Sequence, residues 1–139
     1  MNGFLNGDII RNYFIALVVF LAIDMVWLLV ISKKLYSEKL GYLMAEKPNL
    51  IIAFVFYLIF AAGILFFVIQ PALALGSWKY ALFAGMFFGL VTYATYDLTN
   101  MATIRDWPAI ITVVDLIWGS FVSASTSLIS FYIITKFFK

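Results

Sequence analysis

The sequence predicts an all-α integral membrane protein, a four-transmembrane-helix bundle with a short interfacial helix between spans one and two. Two observations predict this. The first is composition: the 139 residues are 65% hydrophobic and 12% charged, whereas ordinary soluble domains are about half apolar and a quarter charged. So few charges cannot cover that much apolar surface, so lipid must be the solvent for most of the chain. The second is the spacing of the charges. Asp24 alone interrupts the stretch from Asn12 to Ser32, and none falls between Pro48 and Trp78. Asp97 alone lies between Lys79 and Arg105, and Asp115 alone between Trp107 and Thr135. A spanning helix needs roughly 20 mostly apolar residues, so the gaps define four spans in a single domain covering residues 1–139.

Span one is expected at about residues 13–31. Its apolar stretch is long for a signal peptide and carries Asp24, and Ser32-Lys33-Lys34 follows where a small-residue cleavage site would stand. It therefore reads as a retained span. The next segment mixes Lys33, Lys34, Glu38, Lys39, Glu46 and Lys47 with Leu35, Tyr36, Leu40, Tyr42, Leu43 and Met44. That pattern suits an amphipathic helix in the membrane interface. Span two is expected at about 49–69, with Pro48 in its first turn and Gln70-Pro71 ending it. Gly76-Ser77 then turns the chain into span three, about 79–98. Span four is expected at about 108–135, with Pro108 in its first turn.

The side holding the N-terminus is called side A, the other side B. Side A has Arg11, Lys79, Lys136 and Lys139, and side B has Lys33, Lys34, Lys39, Lys47 and Arg105. The excess of one, with Lys33 and Lys34 outweighing Arg11 around the first span, leans to side B, residues 32–48 and 99–107, as cytoplasmic. So near a tie would also suit dual insertion and an antiparallel dimer. Tyr13, Trp78, Tyr80 and Tyr132 on side A, and Tyr36, Tyr42 and Trp107 on side B, fit the aromatic belts of the two interfaces.

Absent residue types narrow the chemistry. The chain has no cysteine and no histidine. This excludes disulfides, thiolate nucleophiles, His-ligated haem and histidine-dependent base catalysis, and leaves zinc only an improbable all-carboxylate site. No cofactor, metal or catalytic residue is expected. The net charge of +2 does not suggest nucleic acid as a partner; membrane lipid is the partner that is.

Three aspartates interrupt the apolar spans. Each costs about 2.5–3.5 kcal/mol at a helix centre on insertion scales, and such residues turn toward a bundle interior or a wet cavity. Asp24 lies nine residues before Lys33, and Asp115 nine residues after Asp106. At 1.5 Å per residue, both sit roughly 13 Å in from side B. Asp97 ends span three on the same side. Each of the first and last spans has a tryptophan three residues on, Asp24/Trp27 and Asp115/Trp118, and such pairs share a helix face. In span three, Gly85, Gly89, Tyr93, Asp97 and Asn100 form one stripe. Gly85 and Gly89 permit close helix approach, within the chain or in a homodimer through small-residue faces. Tyr93, Tyr96, Asp97 and Asn100 supply polar groups at the mouth, with Arg105 and Asp106 in the loop after it. Gly119, Ser123 and Ser127 form a small-residue ridge on span four that reads first as packing.

The candidate ligand-binding residues are thus Asp24, Trp27, Tyr93, Tyr96, Asp97, Asn100, Arg105, Asp115 and Trp118. Two close carboxylates do not both ionise cheaply, so a proton or a bound cation is expected among them. The alternative is an interhelical clamp, with Arg105 on Asp97 or Asp106, and Asp24 on Asn100, a tyrosine hydroxyl or an indole N–H.

The run Tyr93-Ala94-Thr95-Tyr96-Asp97-Leu98-Thr99-Asn100, then Trp107-Pro108, Asp115 and Trp118-Gly119, resembles a family of small bacterial predicted membrane proteins classed as a domain of unknown function. Asp24 and Trp27, Gly41, Phe56-Tyr57 and Pro71-Ala72-Leu73 extend the resemblance over nearly the whole chain. The resemblance implies four spans and a bacterial inner membrane, and no established activity or site residues. The leading functional expectation is a non-enzymatic binding or transport protein for a small cationic or lipid-like ligand, proton-linked in one version. A lipid-modifying enzyme or its subunit, and a structural or assembly protein, are the alternatives.

Overall fold

The computed structural model describes residues 8–45, 47 and 49–138. Glu46, Pro48 and Lys139, which entered the expectations above, lie outside the described residues. Four helices are long and apolar enough to cross a membrane: α1 (Asp8–Leu40), α2 (Leu50–Leu75), α3 (Trp78–Thr103) and α4 (Ala109–Phe137). The chain is thus a multi-pass membrane protein. α1 and α3 run beyond the expected spans through polar end residues, and α2 through Gln70–Leu75.

α1 is 33 residues long, about 50 Å, against a hydrocarbon layer of about 30 Å. The expected helix between spans one and two is present as Lys33–Leu40, joined to the first span without a break. The junction is a π-helical stretch, Trp27–Ser32, whose flanking residues keep right-handed helical dihedrals.

α2 is capped by Asn49, whose side chain accepts from the backbone N–H groups of Ile51 and Ile52. Contrary to expectation, Gln70-Pro71 does not end it. A π-helical stretch, Leu65–Ile69, precedes the proline, and the helix continues to Leu75. Pro71 has no N–H for the carbonyl four residues back, that of Phe67. The Tyr80 hydroxyl of α3 donates to that carbonyl at 3.2 Å, the kind of re-satisfaction that lets proline persist in a spanning helix. The end comes at Gly76, in the left-handed region at φ 62°. There Ser77 N–H bonds the Ala72 carbonyl and Gly76 N–H the Leu73 carbonyl, a glycine-terminated stop. Ser77 then caps α3 by accepting from Tyr80 N–H. Pro108 is the cap residue just before α4 rather than a residue of its first turn.

Packing divides the bundle into two halves. The side A half is a mainly apolar core: Phe20 from α1, Phe60, Ile64, Val68 and Ile69 from α2, and Val122, Phe131 and Ile134 from α4. Asn12 Nδ2 donates to Gln70 Oε1 at 2.7 Å across α1 and α2 within this half. α3 and α4 pack along their length as a close pair. A side chain on Gly89 would overlap the Gly119 carbonyl and Ser123, and one on Gly85 would press on Ser127. The small-residue stripes of these two helices therefore meet each other inside one chain. In the side B half, α2 separates from α3. Phe60 touches Phe88 and Tyr93, and Gly63 backs onto the Phe88 ring. α2 meets α1 at Tyr57 and Leu58, and its first turns are largely exposed.

Candidate functional site: an acidic cavity in the side B half

The separation of α2 from α3 leaves a cavity of about 640 Å³ that all four helices border. α1 presents Asp24, Trp27, Leu28, Ser32, Lys33 and Tyr36 to it. In an unbroken α-helix a residue twelve positions on has turned about 120° away. The wider turn of the π stretch absorbs much of that drift, so Ser32 and Tyr36 stay on the face of Asp24. α2 contributes Ala53, Phe56 and Tyr57; α3 contributes Thr92, Tyr93, Tyr96 and Asp97; α4 contributes Asp115 and Trp118. The connection after α1 crosses the side B end: Met44 borders the cavity, and the Tyr42 hydroxyl donates to the Asp106 carbonyl at 2.8 Å. Asp106 takes the left-handed conformation there, at φ 61°, which aspartate tolerates better than most residues.

Three walls are closed by specific contacts. Between α1 and α2, the Tyr57 hydroxyl donates to Asp24 Oδ2 at 2.9 Å, and the Tyr57 ring meets Phe20 edge-on. Between α1 and α4, Trp27 and Trp118 stack at 4.4 Å between centroids and 8° between planes. The Trp118 indole N–H also donates to Asp24 Oδ1 at 3.3 Å. Between α3 and α4, the Trp107 indole donates to Thr112 Oγ1 at 3.0 Å, and Thr112 donates to the Asp97 carbonyl at 3.4 Å.

The three aspartates meet different surroundings. Asp24 is buried and accepts from two neutral donors on two other helices. Asp97 is fully buried, at 0% exposure, and neither carboxylate oxygen has a hydrogen-bond partner. Asp115 is 6% exposed and makes no side-chain hydrogen bond or ion pair among the described residues. The only ion pair among them is Arg11 with Asp8, far away on side A. Leaving a buried polar group without a partner costs about 1–3 kcal/mol, more if it is charged, so the enclosed, unpartnered Asp97 carboxylate is an anomaly of the fold, and Asp115 borders the same cavity.

Seven of the nine candidate residues border the cavity: Asp24, Trp27, Tyr93, Tyr96, Asp97, Asp115 and Trp118. Asn100 and Arg105 do not. Asn100 lies almost a turn beyond Asp97, where its carbonyl caps the end of α3 by accepting from Ile104 N–H. Arg105 is exposed in the following turn and pairs with neither Asp97 nor Asp106. The clamp expected of Asp24 is formed, with Tyr57 and Trp118 as its donors; the clamp expected of Arg105 is not.

Sequence reasoning missed Tyr57, the hydroxyl that holds Asp24. The available signal was that Tyr57 is the single tyrosine in a span with no charge. It also missed Lys33, an exposed cation at the cavity rim, because counting charges for orientation does not reveal where an ammonium points.

No curated protein and no solved structure matches the chain. Residues 9–132 match DUF2177, described as "Predicted membrane protein". Four spanning helices and a match over nearly the whole length agree: the chain belongs to the DUF2177 family of predicted membrane proteins.

Proposed function

We propose that this protein binds or transports a small cationic or lipid-like ligand, held in the side B cavity against Asp97 and Asp115. The observation that carries the reading is the buried, unpartnered Asp97 carboxylate on α3, with Asp115 on α4 bordering the same cavity. Ionisable groups inside a membrane protein ordinarily pair with one another or mark a ligand or ion path. Among the described residues no cation pairs with either carboxylate; Lys33 reaches only the cavity rim, which leaves room for a partner from outside the chain. The stacked Trp27 and Trp118 add a π-rich wall suited to an ammonium group. Asp24, already bonded twice, fixes that wall in place.

In this reading the protein resides in a bacterial inner membrane with side B cytoplasmic. The test is isothermal titration of the detergent-purified protein with tetramethylammonium. The wild type binds it saturably, and Asp97→Asn/Asp115→Asn lowers the affinity at least tenfold, about 1.4 kcal/mol. Equal affinity in both proteins, with the variant still folded, would remove the proposal.

A further inference from the structure

Among the described residues, one wall of the cavity is closed by no ring contact or hydrogen bond, and it opens on the flank of two spanning helices. Tyr57 with Asp24 seals α1 to α2, the tryptophan stack seals α1 to α4, and the glycine–serine seam seals α3 to α4. The strap through Tyr42 crosses the side B end. Between α2 and α3 the last contacts are at Phe60, with Phe88 and Tyr93. Beyond that level Phe56 on α2 and Tyr96 on α3 both border the cavity, yet they are 45% and 58% exposed. A cavity-wall side chain that is also half open on the flank of a spanning helix is a side chain at an opening. The neighbouring α2 surface is purely apolar, with Leu50, Ile51 and Ile52 each more than 60% exposed. Acyl chains are therefore what lies against the opening.

Resting on the proposed ligand-binding reading, we infer that the ligand is a long-chain amphiphile with an ammonium headgroup that enters sideways from the bilayer between α2 and α3. Its head lies against Asp97 and Asp115 beneath the Trp27–Trp118 stack, and its chain passes out between Phe56 and Tyr96 into the lipid. Each part of the site matches one part of such a molecule. The carboxylates complement the cation, the aromatic faces complement its methyl groups or methylenes, and the open seam takes a chain too long for the cavity. A water-soluble cation needs no lateral seam. An anionic amphiphile would bring its charge to the acidic wall.

The experiment uses the full chain in phosphatidylglycerol nanodiscs, whose lipid carries no ammonium group, with Trp78→Phe and Trp107→Phe so that fluorescence reports only Trp27 and Trp118. Dodecyltrimethylammonium and tetramethylammonium, which share a headgroup, are titrated in parallel. The expected result is saturable binding of both, at least tenfold tighter for the dodecyl compound. Ala53→Phe, or Thr92→Phe from the facing helix should the first fail to fold, narrows the seam and brings that ratio close to one. Asp97→Asn/Asp115→Asn weakens both probes. A ratio near one in the unmodified seam, or a ratio that neither seam variant changes, overturns the lateral amphiphile while the cationic site stands. Absence of saturable binding by either probe overturns both readings.

Discussion

Asp24 and Asp97 border the same cavity but differ in what their carboxylates meet. Asp24 accepts from Tyr57 and Trp118, whereas both oxygens of Asp97 are unpartnered. Opposite stability effects follow. Asp24→Ala leaves the Tyr57 hydroxyl and the Trp118 N–H without their acceptor; interhelical hydrogen bonds in membranes average about 0.6 kcal/mol each, so a loss of about 1–2 kcal/mol is expected. Asp24→Asn retains an acceptor for one donor and loses less. Asp97→Leu removes a buried unpartnered group and is expected to gain about 1 kcal/mol while losing ligand. Reversible unfolding in mixed micelles measures all three, and a destabilised Asp97→Leu would mean that the carboxylate has a partner within the chain. At this scale the sequence revealed the aspartates and tryptophans because a charge in an apolar span is costly, and conspicuous for that reason. Tyr57 did not stand out, because a tyrosine in an apolar span costs little until its hydroxyl is known to be buried.

The helices themselves were legible from charge gaps, and the glycine stripe of α3 from its spacing. The π-helical stretches were not, since Trp27–Ser32 and Leu65–Ile69 are uniformly apolar apart from Ser32 and have no local signature. Only tertiary contacts decide there which register wins. Pro71 looked like a helix end because its effect on the ladder is local, while its remedy, the Tyr80 hydroxyl, comes from the next helix. Deleting Val30, a lipid-exposed residue of the first π stretch, allows an ordinary α-helix. Ser32 and Tyr36 would then stand seven and eleven residues after Asp24, within about 20° of its face, so both stay on the cavity. Ligand affinity should be unchanged, with helicity by circular dichroism also unchanged; a several-fold loss would show that the wide π turn itself shapes the site. In the α3–α4 seam, Gly89→Leu forces a side chain into the Gly119 backbone and Ser123. It should cost about 1–3 kcal/mol or more, whereas Gly63→Ala meets only the tip of the Phe88 ring and should be mild. Thermal unfolding of the two variants compares them, and equal losses would contradict the seam as drawn.

The molecule as a whole is a bundle packed in one half and parted in the other. That contrast was not legible in the sequence, because α2 carries no charge and is almost wholly apolar, and nothing in its composition says which turns face protein and which face lipid. The connectivity of four spans puts the α2–α3 turn on side A and the α3–α4 turn on side B. The absence of native cysteine makes single-cysteine labelling clean. With side B cytoplasmic, Leu75→Cys reacts with an impermeant maleimide on intact spheroplasts and Thr103→Cys only after lysis. The reverse pattern would invert the orientation and leave the bundle intact. The central claim is that Asp97 and Asp115 face a partner the chain does not supply. An experimental structure of the protein extracted from its native membrane tests it most directly. The account predicts non-protein density within hydrogen-bonding distance of both carboxylates, continuing between Phe56 and Tyr96. Side chains of this chain paired with Asp97 and Asp115 in a collapsed cavity would contradict it.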